Sequence, residues 1–259
     1  MGKTFEAIER AKRERDSQKA VALPQLKERG ADTHPEAPVT LIAAKEKQPF
    51  LPTSFGQYQQ LKASLLNRYS DLKHKVIMIV SSAENEGCTT TAVNLAKALA
   101  SDDKTKVLLI DGNLRSSSLH QVFGLDNKNG LLNILRGEND TEQAIKKPDI
   151  DNLFVVTSGK DAGHPGSIFD SQALRPLLDQ FKNRFDFVIL DAPPVTLYPD
   201  SISLCSKVDG VIFVVEAEKT RWEAAQQAKE RLRAAGARIL GGVLNKRKYY
   251  IPQAIYKRL

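Results

Sequence analysis

The sequence alternates between short apolar segments and helix-length segments, and this alternation limits the folds open to the chain. Six short runs are apolar and rich in β-branched residues: Val76–Val80, Val107–Ile110, Leu153–Val156, Phe187–Leu190, Val211–Val215 and Ile239–Leu244. Runs without polar–apolar alternation are typical of strands that are buried on both faces. The segments between them have helical length: Thr89–Ala100, Gly130–Leu135, Thr141–Lys147, Ser171–Phe185 and Arg221–Ala235. We therefore predict an α/β fold with a doubly wound, mainly parallel sheet flanked by helices.

Three further segments flank this predicted domain. In chain order, we predict an amphipathic helical leader at 1–20, a proline-rich linker at 21–53, the α/β domain at 54–247 and a basic, tyrosine-containing tail at 248–259. Five prolines lie between positions 24 and 52, and this density prevents a continuous helix or strand. The domain is predicted to begin with a helix, because Tyr58, Leu61 and Leu65 recur at helical spacing.

The net charge of +7 comes from the two ends of the chain. Residues 1–50 hold ten basic and eight acidic side chains, residues 245–259 hold five basic and no acidic ones, and the span between them is neutral. A nucleic-acid-binding domain clusters Lys and Arg on its folded body, so we predict no nucleic-acid partner. The sequence has neither an apolar run of the roughly 18 residues that a membrane-spanning helix needs nor the apolar core of a secretory signal. The expected location is the cytoplasm.

The loop after the first predicted strand, Ser81–Thr91, leads into a helix-length segment. In that setting, backbone N–H groups at a helix N-terminus can bind a polyphosphate while a Ser or Thr hydroxyl reaches Mg²⁺. Gly87 and Thr89 fit the pattern G-x-x-x-x-G-K-[ST], and Ser82 stands at its first glycine. Cys88 stands at its lysine. A loop that caps a helix with threonines accounts for these residues equally well.

A carboxylate comes directly after two other predicted strands. Asp111 comes after the second strand and Asp191 after the fourth. The carboxyl ends of parallel strands meet at one edge of the sheet, where α/β proteins bind their ligands. A carboxylate beside a phosphate-binding loop can hold Mg²⁺ or its water shell. The pair therefore favours a nucleotide site, although Asp is also common in the turns and helix caps at strand ends.

In order and spacing, these motifs resemble those of the bacterial tyrosine kinases. That family consists of P-loop proteins related to the MinD and ParA ATPases and partners polysaccharide chain-length regulators. The resemblance covers about residues 54–247 and is carried by Val107–Asp111, Leu114–Arg115, Gly130–Glu138, Phe185–Pro194, Asp200, Val208–Gly210 and Gly241–Asn245. The opening Gly2–Ile8 is similar to the leader of members that belong to exopolysaccharide loci.

The resemblance implies ATP or ADP with Mg²⁺ as cofactor. It assigns cofactor binding to Ser82, Asn85, Glu86, Gly87, Cys88, Thr89, Thr90 and Asn245, the last as an adenine contact. It assigns Mg²⁺ to Thr89, Asp111 and Asp191, and catalysis to the same two aspartates. It also implies a membrane chain-length protein as partner, which would bring the chain to the inner face of the cell membrane. Arg115 and Asp200 match the family without a role that the sequence can assign.

The phosphate-binding loop departs from the family in its charge. Cys88 replaces the lysine that neutralises phosphate, and Ala83 stands where MinD and ParA relatives carry a second lysine. Residues 76–96 contain no Lys or Arg, while Glu84 and Glu86 are acidic, so we expect no nearby base to compensate. Phosphoryl transfer depends mainly on electrostatic stabilisation, so this loop is expected to impair it.

Two features that the family uses for assembly and autophosphorylation are also reduced. The first helix of the domain carries Gly56, Gln59 and Lys62 where the family has the E-x-x-R-x-x-R ring contact. The tail offers three tyrosines, Tyr249, Tyr250 and Tyr256, in place of a tyrosine cluster. A homo-oligomer stays an open expectation.

Three functions fit these observations. The chain could be an active ATP-dependent tyrosine autokinase whose missing lysine is supplied from elsewhere. It could be a kinase-derived module with impaired or absent phosphoryl transfer that regulates polysaccharide polymerisation or export through its membrane partner. It could be a MinD- or ParA-like positioning ATPase, although Ala83 lacks that group's lysine. We favour the second, in exopolysaccharide or capsule biosynthesis.

Overall fold

The computed structural model describes residues 42–43, 52–69, 75–160 and 165–247. Within these residues the strands are β1 (Ile42–Ala43), β2 (Lys75–Ser81), β3 (Val107–Asp111), β4 (Ile145–Lys146), β5 (Leu153–Val156), β6 (Phe187–Asp191), β7 (Gly210–Glu216) and β8 (Ile239–Asn245). They form one sheet in the order β1-β8-β7-β2-β6-β3-β5-β4. Neighbouring strands are parallel except β4 and β5, which are antiparallel. The mainly parallel sheet is therefore confirmed.

The helices that accompany the strands lie between them along the chain. They are α1 (Pro52–Arg68), α2 (Cys88–Ala100), α3 (Leu119–Phe123), α4 (Leu131–Leu135), α5 (Thr141–Ala144), α6 (Leu174–Arg184), α7 (Asp200–Cys205) and α8 (Trp222–Ala234), with a 3-10 turn at Pro165–Asp170. The six apolar runs of the sequence all become strands, each within one residue of its predicted bounds at either end.

Alternate side chains of the central strands pack into two separate cores. On one face, Val76, Met78 and Val80 of β2 belong to a cluster with α6, α7 and α8. On the other face, Ile77 and Ile79 belong to a cluster with α1 and α2. Because both faces are covered, the central strands need apolar residues at every position, which explains their unbroken runs. The doubly wound arrangement is confirmed.

Two segments differ from the sequence-based expectation. The predicted helix Thr141–Lys147 ends at Ala144, because Ile145 and Lys146 pair with Val156 and Val155 of β5. The predicted linker contains β1, which pairs with Val243 and Leu244 of β8. Both strands have only two residues, and each pairs with a strand that lies elsewhere along the chain: β1 with β8 and β4 with β5. Local composition therefore does not reveal them.

The leader at 1–20 and the tail at 248–259 lie outside the described residues, and so do Tyr249, Tyr250 and Tyr256. Among the described helices, none combines the length and the apolar character that a membrane crossing requires.

Candidate nucleotide-binding site

The loop between β2 and α2 lies at the carboxyl end of the central strand. Gly87 has a φ of 90° and directly precedes Cys88, the first residue of α2. A side chain at Gly87 would meet the amide nitrogen of Asn245 at 1.9 Å, so this position combines a left-handed backbone with a close approach. Asn85 is also left-handed, with a φ of 63°. The loop thus turns sharply twice before α2 begins.

The carboxylate of Glu86 forms hydrogen bonds with the start of this loop. Glu86 accepts hydrogen bonds from the backbone N–H groups of Ser82 at 2.8 Å and Ala83 at 3.0 Å. The hydroxyl groups of Ser82 and Thr220 also donate to Glu86. Ser82, Ala83 and Glu86 line a second cavity, of about 300 Å³, and not the one described below. The first amides of the loop are therefore occupied within the protein.

The two predicted aspartates stand side by side. Asp111 and Asp191 are register partners at the ends of β3 and β6, and both are buried. Asp111 accepts hydrogen bonds from the backbone N–H groups of Ser118 at 3.2 Å and Leu119 at 3.1 Å. Burial, and then the charge of Asp191, raises the pKa of Asp111 to about 8. Burial raises the pKa of Asp191 to about 6. A positively charged group, such as a metal ion, would therefore stabilise the ionised form of both aspartates.

Cys88 and Thr89 both contact Asp191. The hydroxyl group of Thr89 donates to Asp191 Oδ2 at 2.6 Å. Cys88 Sγ lies 3.2 Å from Asp191 Oδ1 and 3.2 Å from the carbonyl oxygen of Ile79. Burial, together with the charge of Asp191, raises the pKa of the thiol well above its usual value. Cys88 is therefore a neutral donor to a carboxylate and supplies no positive charge.

A cavity of about 370 Å³ opens above these groups. Its lining consists of Ser81, Glu84, Asn85, Gly87, Cys88, Thr89, Thr90, Asn113, Ser116, Ser118, Ala192, Pro194, Tyr198 and Lys246. Five of the predicted cofactor-binding residues lie in this lining: Asn85, Gly87, Cys88, Thr89 and Thr90. The N-terminal turn of α2 therefore forms one wall of the cavity, and the backbone N–H groups of such a turn attract anions.

The donor set suits Mg²⁺ with a nucleotide. The hydroxyl of Thr89 and the carboxylates of Asp111 and Asp191 are the hard oxygen ligands that Mg²⁺ prefers. Within the part of the chain that the structure describes, no group of three or more His, Cys, Asp or Glu residues forms a ready metal cage. Phosphate oxygens and water would complete the coordination, as is usual for Mg²⁺.

Asn245 lies beside the loop but does not line the cavity. It is buried, and its amide nitrogen donates to the carbonyl oxygen of Glu86 at 2.8 Å. In this structure the contacts of its side chain support the loop around Gly87. The adenine contact that the resemblance implies stays a prediction.

The expectation that no basic side chain approaches the loop is wrong. Lys246, which comes directly after β8, lines the cavity and donates a hydrogen bond to the carbonyl oxygen of Asn85. It was missed because it lies 161 residues from Asn85 along the chain, and only the parallel sheet brings the end of β8 to the loop. Lys246 comes immediately after a strand, as Asp111 and Asp191 do in the sequence-based prediction. This position is the signal that could have identified it.

Arg115 and Asp200 form a second contact network at the cavity. Arg115 Nε donates to Asp200 Oδ2 at 2.8 Å, and its guanidinium lies 4.7 Å from the ring centre of Tyr198. The hydroxyl of Tyr198 in turn donates to Glu84 Oε1 at 3.3 Å. Arg115 and Asp200, to which the sequence assigned no role, therefore help to position Tyr198 at the cavity wall.

Known proteins resemble this chain in sequence and in fold. Residues 74–238 match the family model described as an AAA domain. The tyrosine-protein kinase YwqD of Bacillus subtilis is 34% identical over 192 residues, which cover 74% of this chain and 81% of that protein. The crystal structure of the chimerical protein CapA2B2 superposes with a TM-score of 0.75 at 29% identity, covering 82% of this chain and 96% of that one.

The same fold occurs in a cell-division ATPase. The MinD protein of Pyrococcus furiosus superposes with a TM-score of 0.58 at 30% identity, covering 71% of this chain and 78% of that one. The P-loop ATPase architecture is therefore shared with MinD, while the matched kinase covers more of the chain. On its matched domain and its kinase relative, the chain belongs to the bacterial tyrosine kinase family.

Proposed function

We propose that the chain is a kinase-derived nucleotide-binding protein of exopolysaccharide or capsule biosynthesis, with impaired or absent phosphoryl transfer. It acts by regulating polymer assembly or export through a membrane chain-length partner. The resemblance of the motifs to bacterial tyrosine kinases supports the process and the partner. The charge of the site supports the impairment.

The observation that carries the proposal is the position of Cys88. At the first residue of α2, where the loop pattern has a lysine, a neutral thiol contacts the Asp191 carboxylate at 3.2 Å. A unit charge 4 Å from a phosphate contributes about 4 kcal/mol at the effective dielectric of a partly buried site. Loss of such an interaction from the transition state slows a reaction by roughly a thousandfold. The predicted metal ligands Thr89, Asp111 and Asp191 carry no positive charge and do not replace that of the lysine.

One alternative is supported by an observation of its own. Thr89 donates a hydrogen bond to Asp191, and Asp111 is the register partner of Asp191, so the three predicted Mg²⁺ ligands lie at one edge of the sheet. An active autokinase would use these groups with a cation supplied by another subunit. It predicts phosphate on Tyr249, Tyr250 or Tyr256.

Quantitative mass spectrometry of these tyrosines separates the two functions. The wild-type chain, Cys88→Lys and the double variant Cys88→Lys/Asp191→Asn are purified and incubated with ATP and Mg²⁺. We expect little phosphotyrosine in the wild type, at least tenfold more in Cys88→Lys, and none in the double variant. Wild-type phosphorylation equal to that of Cys88→Lys would overturn the proposed impairment and favour the autokinase.

The role in the cell is tested by complementation. A strain that lacks the gene receives the wild-type chain or Asp191→Asn, and the amount and length of its polysaccharide are measured. If the chain regulates by contact with its partner, both restore the polymer. Restoration by the wild type alone would show that chemistry at Asp191 is required. No change of polymer on deletion would contradict the assignment of the process.

A further inference from the structure

The charge around the cavity is unevenly distributed. Glu84 lines the cavity, whereas Asp111 and Asp191 are buried and do not line it. Asp191 contacts Thr89 and Cys88, which are part of the lining. Within the described lining, Lys246 contributes the basic side chain. A polyphosphate entering this cavity thus meets the Glu84 carboxylate and the Lys246 ammonium group at the lining, with the Asp191 carboxylate buried behind Thr89 and Cys88.

The structure holds that ammonium at the loop through several contacts. Lys246 has a left-handed φ of 55°, and its backbone N–H donates to Asn245 Oδ1 at 2.9 Å. Its Nζ donates to the carbonyl oxygen of Asn85 and lies 3.0 Å from Glu216 Oε2. The side chain is only one-fifth exposed. The ammonium group is therefore positioned before any ligand arrives, which reduces the entropy lost on binding.

The basic residue at the other side of Glu216 provides a comparison. Lys219 also pairs with Glu216, at 3.3 Å, but its side chain is 65% exposed. Lys219 lines the neighbouring cavity of about 300 Å³ and not the one above Thr89. The two lysines share an acidic partner and differ in which cavity they face.

We propose that Lys246 is a nucleotide-binding residue whose ammonium group contacts the phosphates and partly replaces the charge lost at Cys88. This inference rests on the proposed nucleotide site and names a residue that acts in it. Because Lys246 contacts Asn85 while Cys88 contacts Asp191, the two positions lie at different parts of the loop. Lys246 therefore supports binding without restoring the charge beside Thr89 and Asp191, where the metal is expected.

Calorimetric titration of the full-length chain with ADP and Mg²⁺ tests this role. Lys246→Met removes the charge, Lys246→Arg keeps it, and Lys219→Met is the matched control that loses a partner of the same Glu216. We expect Lys246→Met to raise the dissociation constant at least tenfold, and Lys246→Arg and Lys219→Met to change it less than threefold. Thermal unfolding of the ligand-free variants checks that each one folds.

Other outcomes count against one proposal or the other. Equal affinity of Lys246→Met and the wild type, or equal weakening by Lys219→Met, overturns the role of Lys246 and leaves the proposed function intact. Binding in Cys88→Lys but not in the wild type also overturns it, because Lys246 alone would not support binding. Failure of both the wild type and Cys88→Lys to bind ADP overturns the nucleotide site itself.

Discussion

At the scale of single residues, Cys88 leaves the loop without the positive charge that the pattern places there. Gly87 is left-handed, Thr89 contacts Asp191, and α2 begins at residue 88. The thiol is compatible with this geometry because it can donate to the carboxylate that it faces. One side chain thus separates a site that keeps its metal-binding oxygens from one that also neutralises phosphate.

Gly87 provides a direct test of the loop geometry. An alanine there would place its Cβ 1.9 Å from the Asn245 amide and would also carry the strain of a positive φ. We expect Gly87→Ala to lower the free energy of unfolding by about 2–4 kcal/mol. Chemical denaturation measures this change.

Gly236 supplies the control for that measurement. Its φ is +81°, and a Cβ built there has no neighbour within 4 Å. Gly236→Ala should therefore cost only the backbone strain, about 1 kcal/mol. Equal losses in the two variants would mean that Asn245 does not press against the loop.

At the scale of helices and strands, the sequence predicts the strands that form continuous apolar runs and misses several short elements. The long apolar runs predict β2, β3 and β5–β8, because strands covered on both faces need continuous apolar residues. The order of the strands, and hence the approach of Lys246 to Asn85, depends on pairing between distant segments. α3 and α7 are not predicted, because each has too few residues for a periodic pattern. The equally short α4 and α5 are predicted, because they lie in segments between the apolar runs.

The same limit applies to the candidate site. Residues next to the loop or directly after a strand could be predicted, because motif spacing and the sheet edge locate them. Tyr198 could not, since it reaches the cavity through contacts with Arg115 and Glu84. Two of the positions where the resemblance implies a ring contact form contacts within the chain. Gln59 donates to Ser101 at 3.0 Å, and Lys62 pairs with Asp102 at 2.6 Å, within the same chain.

The packing of α1 can be tested by substitution. Leu65 is buried in the cluster that includes Ile212 and Leu240. We expect Leu65→Ala to lower the free energy of unfolding by about 2–4 kcal/mol, because it removes apolar contacts and leaves a cavity. Phe55, in the same helix, is 42% exposed, so Phe55→Ala should cost about 1 kcal/mol or less. A larger loss for Phe55→Ala would contradict the orientation of α1.

At the scale of the whole molecule, the fold places the residues of the proposed nucleotide site at one edge of the sheet, but these residues carry few positive charges. Asp111 and Asp191 are buried side by side at the carboxyl edge of the sheet, and Glu84 lines the cavity. Against them stand the N-terminal turn of α2 and Lys246. Nucleotide binding should consequently depend on the positive charge of a bound metal.

Removal of the metal tests this balance. We expect ADP affinity to fall at least tenfold when Mg²⁺ is replaced by excess EDTA, because the phosphates then lose the positive charge of the metal and face Glu84 and the buried Asp191 carboxylate without compensation. Asp191→Ala should lose part of this dependence, since it removes one metal ligand and one repelling charge. The measurement is calorimetric titration at constant ionic strength. Affinity that does not change with EDTA would contradict the predicted metal site.

The most direct test of the central claim is the affinity of the Cys88→Lys variant for ADP with Mg²⁺. Cys88→Met serves as its control, because it lengthens the side chain without adding charge. We predict that Cys88→Lys binds at least tenfold more tightly than the wild type, and that Cys88→Met does not. If Cys88→Lys binds no more tightly than the wild type and Cys88→Met, the site does not lack the charge of the missing lysine, and the proposed impairment is contradicted.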